Sequence, residues 1–121
     1  MSFRFSENIK YMNGIYKKVI SMEDDSIMNA YYNNQIVTAL IGVQVDTKSI
    51  DNFAKEAREF SNVEDVFLVT GEYDIIVKVK FPSYEELKDF IINKLSKIEG
   101  VLKTETMMVV NTYKERGIKF E

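Results

Sequence analysis

The chain has 121 residues, 16 of them basic and 19 acidic, for a net charge of -3, with 45% hydrophobic and 29% charged residues. That balance fits one ordinary domain able to bury a core without staples, and the length excludes two full-sized independent domains. Cys and His are both absent, which excludes disulfides, thiolate metal sites, imidazole bases and histidine-ligated haem. No cofactor and no metal is expected, and the acidic balance argues against a broadly basic nucleic-acid surface.

No apolar run approaches the ~20 residues needed to span a bilayer. Met1 to Glu7 lacks the apolar core of a signal peptide. The expectation is a cytoplasmic protein without a membrane partner.

Residues 1–34 are expected to form a short helical segment. Ile9, Met12, Tyr16, Val19 and Ile20 share one face of a helix drawn over Ser6 to Ile20. Ser6 is its candidate cap, and Gly14 costs it about 1 kcal/mol against Ala. Ser21 to Asn34 is polar. Glu23-Asp24-Asp25 lacks the spacing and glycine of a calcium loop and reads as a solvated turn. Tyr11, Tyr16, Tyr31 and Tyr32 read as packing aromatics rather than a base-stacking platform.

Residues 35–121 form the second unit. Ile36 to Val45 alternates as a strand. Asp46 and Thr47 offer caps to a helix carrying Ile50, Phe53, Ala54, Ala57 and Phe60 on one side. Val63 to Thr70 and Tyr73 to Phe81 read as strands flanking a turn at Thr70-Gly71-Glu72. Ser83 and Glu86 make a capping box for a helix with Leu87, Phe90, Ile91, Leu95 and Ile98 inward. Gly100 stands where a helix C-terminal glycine belongs, and Val101 to Val110 is the last strand. The order β-α-β-β-α-β is the ferredoxin-like, α+β arrangement with an antiparallel sheet.

Such a sheet has helices on one face only, yet its strands carry apolar residues on both. Ile76 lies opposite Tyr73, Ile75, Val77, Val79 and Phe81. Val66 and Leu68 lie opposite Val63, Phe67 and Val69. Leu102, Met108 and Val110 lie opposite Val101, Met107 and Val109. The expected second cover is another subunit's sheet, which makes a homodimer.

Two runs resemble the Lrp/AsnC family of feast/famine transcription regulators. Thr70-Gly71-Glu72-Tyr73-Asp74, leading into Ile75 to Val79, is similar to the family's Gly-x-Tyr-Asp turn. Gly100 to Val110, with Thr104 and Thr106, is similar to its last strand. The resemblance covers Gln35 to Val110 and implies the family's effector domain, a small-molecule effector that is an amino acid, and no enzymatic activity. By the same resemblance the effector contacts are Gly71, Glu72, Tyr73, Asp74, Thr104 and Thr106. The chemistry suits that role: a glycine admits close backbone approach, a carboxylate suits an α-ammonium group, and two hydroxyls two residues apart share a strand face. Each also has a plain structural reading, as turn glycine, packed aromatic, turn-bonding aspartate or ordinary strand threonine.

Family members carry an N-terminal winged helix, and Ser6 to Ile20 is similar to its recognition helix. Only 34 residues precede Gln35, so the other helices that hold a reader in the groove are expected to be missing. Lys10, Lys17 and Lys18 are the candidate DNA-facing residues, but residues 1–34 balance four basic against four acidic groups. Three readings follow: an effector-sensing module that assembles into dimers, higher oligomers or mixed oligomers with full-length relatives; a regulator still binding DNA through the reduced helix; and a small enzyme on a dimeric α+β fold.

Overall fold

The computed structural model describes residues 36–120, together with the backbone of three strands nearer the N-terminus: β1 (Arg4–Phe5), β2 (Lys10–Met12) and β3 (Ile15–Ser21). The main domain follows as β4 (Val37–Val45), α1 (Ile50–Ala57), β5 (Val63–Leu68), β6 (Ile75–Phe81), α2 (Tyr84–Asn93) and β7 (Val101–Met108). A small hairpin, β8 (Lys114–Glu115) and β9 (Ile118–Lys119), ends it. The four central strands run β7-β4-β6-β5, all antiparallel. This is the expected ferredoxin-like sheet. Among the described residues no helix is long and apolar enough to cross a membrane.

Period-two alternation decides which face is buried. Val37, Ala39, Ile41, Val43 and Val45 on β4, and Ile75, Val77, Val79 and Phe81 on β6, all face the helices and are buried. Against them α1 sets Phe53 and Ala57, with Ile50 and Ala54 partly buried, and α2 sets Tyr84, Leu87, Phe90 and Ile91. These are the i, i+3, i+4, i+7 positions of α1 and the i, i+3, i+6, i+7 positions of α2, one face of each helix. The Phe90 ring meets Phe60 edge-on at 5.1 Å and Phe81 at the same distance, a geometry that adds to simple area burial. Ser83 caps α2 by accepting from the Glu86 N–H at 3.2 Å, as expected.

Several local expectations are corrected. The helix drawn over Ser6 to Ile20 gives way to strands: Met12 pairs with Ile15, Tyr11 with Tyr16 and Lys10 with Lys17, while Lys18 and Val19 pair with Met108 and Met107 of β7. Tyr, Ile and Val are β-formers, and Asn-Gly, the sequence between Met12 and Ile15, is the strongest two-residue hairpin signal. Neither Asp46 nor Thr47 caps α1 with its side chain; a single 3-10 turn, Thr47–Ser49, leads into that helix. Gly100 lies beyond a second 3-10 turn, Leu95–Lys97, so it enters β7 rather than ending α2. Its φ is +91°, and a Cβ there would lie 2.3 Å from the Ser49 Cβ, so both backbone and space require glycine.

Two bulges shift the face assignments. Between β4 and β7 the register passes from Gln44↔Lys103 to Val45↔Val101, leaving Leu102 extra and 69% exposed. Between β5 and β6 it passes from Val63↔Val79 to Asp65↔Lys78, leaving Glu64 extra. Val63 and Val66 therefore both pack on the core, where strict alternation put them on opposite faces. The acidic run Glu23-Asp24-Asp25 and the pair Tyr31-Tyr32 lie outside the described residues.

Candidate functional site

The turn between β5 and β6 is held to the end of β4 by its backbone and side chains together. The Val69 N–H donates to the Asp74 carbonyl at 2.9 Å, closing the turn, and the Asp74 N–H donates to the Val43 carbonyl at 3.0 Å. The Asp74 carboxylate then accepts from the Val45 N–H at 2.9 Å. It thus continues the β4–β6 ladder one step past its last residue pair, Val43↔Ile75. The Gln44 side-chain amide donates to the Glu72 carbonyl at 3.0 Å. Tyr73 lays its ring over Gly42, where an added Cβ would sit 2.8 Å from two ring carbons. Gly71 has φ +120° with open space about it, and Gly71 and Glu72 are exposed.

Thr104 and Thr106 sit on β7 opposite Val43 and Ile41. They point into the helix side of the sheet at 0% and 1% exposure, and neither hydroxyl has a hydrogen-bond partner. Buried hydroxyls without partners are rare and costly. Thr104 and the Asp74 turn approach Val43 from the two sides of β4, so both lie at one end of the sheet. Tyr73 and the two threonines lie on opposite faces, because the ring covers the side of Gly42 turned away from the helices. The expected set is thus one exposed turn and one buried pair at the same end of the sheet, not a single open pocket. Three surface grooves, of about 340, 330 and 480 Å³, are lined by other residues.

Gly42, Gln44 and Val45 were missed as parts of this arrangement. A lone glycine inside a β-branched strand signals close approach of another group, and Gly42 carried that signal. Lys10 and Lys17 are cross-strand partners on β2 and β3, and Lys18 is opposite Met108.

A separate charged cluster lies on the face turned away from the helices. Lys78 bonds Glu115 and lies 3.6 Å from Glu64; Lys80 lies 3.7 Å from Glu64 and 3.6 Å from Glu115. The hydrogen bond to Glu115 raises the Lys78 ammonium above its ordinary value, against the opposing cost of burial. The same bond holds the Glu115 carboxyl below the usual glutamate range. Among the described residues no three acidic groups are arranged to hold a metal ion.

The profile of the Lrp/AsnC ligand binding domain matches residues 38–118. The chain belongs to the Lrp/AsnC family. An HTH-type transcriptional regulator of Pyrococcus horikoshii is 35% identical over 108 residues, 84% of this chain and 72% of that one. Among solved structures, Escherichia coli AsnC shares 28% identity over 68% of this chain and 56% of its own, with a TM-score of 0.64. The transcriptional regulator NMB0573 of Neisseria meningitidis, solved as a complex with L-Met, shares the fold at 17% identity, with a TM-score of 0.63 over 93% of this chain and 66% of its own. This Lrp/AsnC chain spans between about half and three quarters of the length of the curated relatives it matches, at 66%, 72% and 53% for three of them. Those relatives are transcription regulators rather than enzymes.

Proposed function

We propose that residues 36–120 are the effector-sensing and assembly unit of a cytoplasmic Lrp/AsnC transcription regulator. The effector is a small molecule, an amino acid, and its site is the end of the sheet marked by Gly71, Glu72, Tyr73 and Asp74, with Thr104 and Thr106 behind it. The observation that carries the reading is the Asp74 turn, strapped to β4 so that its exposed backbone is held in one shape. Preorganised amides and a carboxylate suit the two charged ends of an amino acid. The hydroxyls of Thr104 and Thr106 lie at the same end of the sheet, buried on its helix face and without partners. A regulator that shares this fold, NMB0573 of Neisseria meningitidis, is solved as a complex with L-Met.

Assembly follows from the face turned away from the helices. Leu40, Ile76, Phe67 and Met107 occupy it in two successive rows across the four strands, and a second copy is the natural cover. An effector that binds one assembly better than another shifts the population between them, and mixed oligomers with full-length relatives would carry that shift to DNA. Lys10, Lys17 and Lys18 are kept as the residues through which the chain itself would touch DNA.

The test is thermal unfolding in a panel of amino acids. Preferential binding to the native state adds about 2.7 kcal/mol at a hundredfold excess over Kd. One or a few amino acids raise the melting temperature of the wild type, and Asp74→Ala abolishes the rise. A flat panel with the folded wild-type chain overturns the effector reading.

A further inference from the structure

The C-terminal hairpin has a built form that no effector role uses. Arg116 and Gly117 both have positive φ, +51° and +78°, the geometry of the tight primed turn whose twist matches its strands. A non-glycine residue adopts that conformation at a cost of roughly 1–2 kcal/mol. The Phe120 N–H donates to the Tyr113 carbonyl at 2.9 Å, closing the far end. Glu115 anchors the hairpin to Lys78 and Lys80 on the open face of the sheet. A groove of about 480 Å³ runs beneath it, between Thr38 and Leu40 on the sheet and Tyr113 on the hairpin.

What the anchored hairpin offers outward is unusual in two ways. Tyr113, Ile118 and Phe120 are 48%, 63% and 49% exposed, three large apolar groups within eight residues. Lys114, Arg116 and Lys119 are exposed and form no ion pair among the described residues. The one acid of the hairpin, Glu115, is consumed by the anchor. Residues 114–119 thus hold three basic groups against one acid, a net of +2, while residues 36–113 hold nine basic against thirteen acidic groups, a net of -4.

We propose that this hairpin is an arm that grips a second copy of the chain, setting Lys114, Arg116 and Lys119 against the partner's acidic body and Tyr113, Ile118 and Phe120 against its apolar surface. The inference rests on the reading that open faces pair, and it adds which segment crosses between the two copies. Charge complementarity selects the occupant: the body of this chain is itself the acidic partner. A bare two-stranded hairpin is marginal in water, so an arm of this length is stabilised by what it packs against.

Sedimentation equilibrium of the full chain at about 50 mM and about 500 mM salt tests this, because exposed charge pairs weaken as the screening length falls. The triple variant Lys114→Glu, Arg116→Glu, Lys119→Glu raises the dimer Kd at low salt by about tenfold or more, which at 1.4 kcal/mol per decade is a modest sum of surface pairs. High salt narrows the gap from the wild type. The double variant Ile118→Ser, Phe120→Ser raises Kd by a similar factor at both salts. Phe67→Glu, on the sheet face outside the groove under the hairpin, reports on pairing independently of the arm, and circular dichroism confirms that each variant folds. Wild-type dimerisation in both hairpin variants, with Phe67→Glu monomeric, overturns the arm and leaves face pairing standing. A wild type that is monomeric at about 100 µM overturns face pairing, and the arm with it. If the charge reversal leaves Kd unchanged but abolishes retardation of a DNA duplex, the arm is overturned in favour of a phosphate contact.

Discussion

The Tyr73 ring lies directly on Gly42, so close that a methyl group at position 42 would meet two ring carbons at 2.8 Å. This contact joins the β5–β6 turn to the middle of β4 on the face away from the helices. It makes the glycine a steric partner of the aromatic side chain rather than a weak point of the strand.

Gly42→Ala is therefore expected to push the ring off the strand and to destabilise the fold by roughly 1–3 kcal/mol, the usual range for overpacking. In a Tyr73→Ala background the same substitution costs less than about 1 kcal/mol, because the clash is gone. Urea unfolding of the four proteins in this cycle measures the coupling; strict additivity would show that the ring moves away freely.

Thr104→Val and Thr106→Val remove buried hydroxyls that have no partner while keeping the branched shape. Each is expected to leave stability unchanged or to raise it by up to about 1 kcal/mol. Both should shrink the melting-temperature rise produced by an effector. A loss of more than about 1 kcal/mol in the unliganded protein would reveal a hydrogen-bond partner for that hydroxyl.

Ser83→Ala deletes the acceptor for the Glu86 N–H at the start of α2. The expected loss is about 1 kcal/mol, and Ser83→Asp should restore most of it. Paired denaturation midpoints with unchanged slopes would confirm a local effect on stability.

The hairpin anchor has a pH window set by the directions of its two shifts. Glu115 is depressed by the Lys78 bond, so its contribution is present above the ordinary glutamate value and fades as pH falls through the depressed one. Lys78 is raised, so its contribution is complete below the ordinary lysine value and fades as pH rises through the raised one. Protection of the 114–119 amides from hydrogen exchange is expected to hold from roughly pH 5 to roughly pH 10 and to drop on either side. Glu115→Gln should weaken that protection throughout the window.

Much of the main domain could be read directly from residue spacing. The alternation of β4 and of Ile75 to Phe81, the helical-spacing stripes of α1 as far as Ala57 and of α2 as far as Ile91, and the Ser83 cap are local patterns that formed where their spacing placed them, whereas Tyr73 turned to the face opposite the one expected. Misreadings fell where a local pattern had two solutions. Ile9, Met12, Tyr16, Val19 and Ile20 fit a helical stripe, but the same segment is rich in β-formers around Asn13-Gly14, and it forms strands whose end pairs with β7. Leu102 and Glu64 broke alternation because a bulge depends on the partner strand's register, which one strand's sequence does not contain. At the candidate site, the Gly71 to Asp74 turn was legible as a motif. Its attachment to Val43, Gln44 and Val45 was not, since those residues lie 28 to 31 positions from their partners in the turn.

The sequence by itself determined the class of fold and the family, because hydrophobic periodicity and the two short runs at Gly71–Asp74 and Thr104–Thr106 are properties of neighbouring residues. It also fixed the chemistry that is excluded, since a chain without Cys or His has no thiolate or imidazole to offer. Only the tertiary structure decided what Asp74 does, because a carboxylate's first partner is whichever donor the fold brings to it, here the Val45 N–H. It likewise put the two threonines behind the sheet rather than beside Tyr73, and stood a cationic hairpin on Lys78 and Lys80. Those outcomes depend on which face a strand turns inward and on what closes over it, and pairing across the whole sheet sets both.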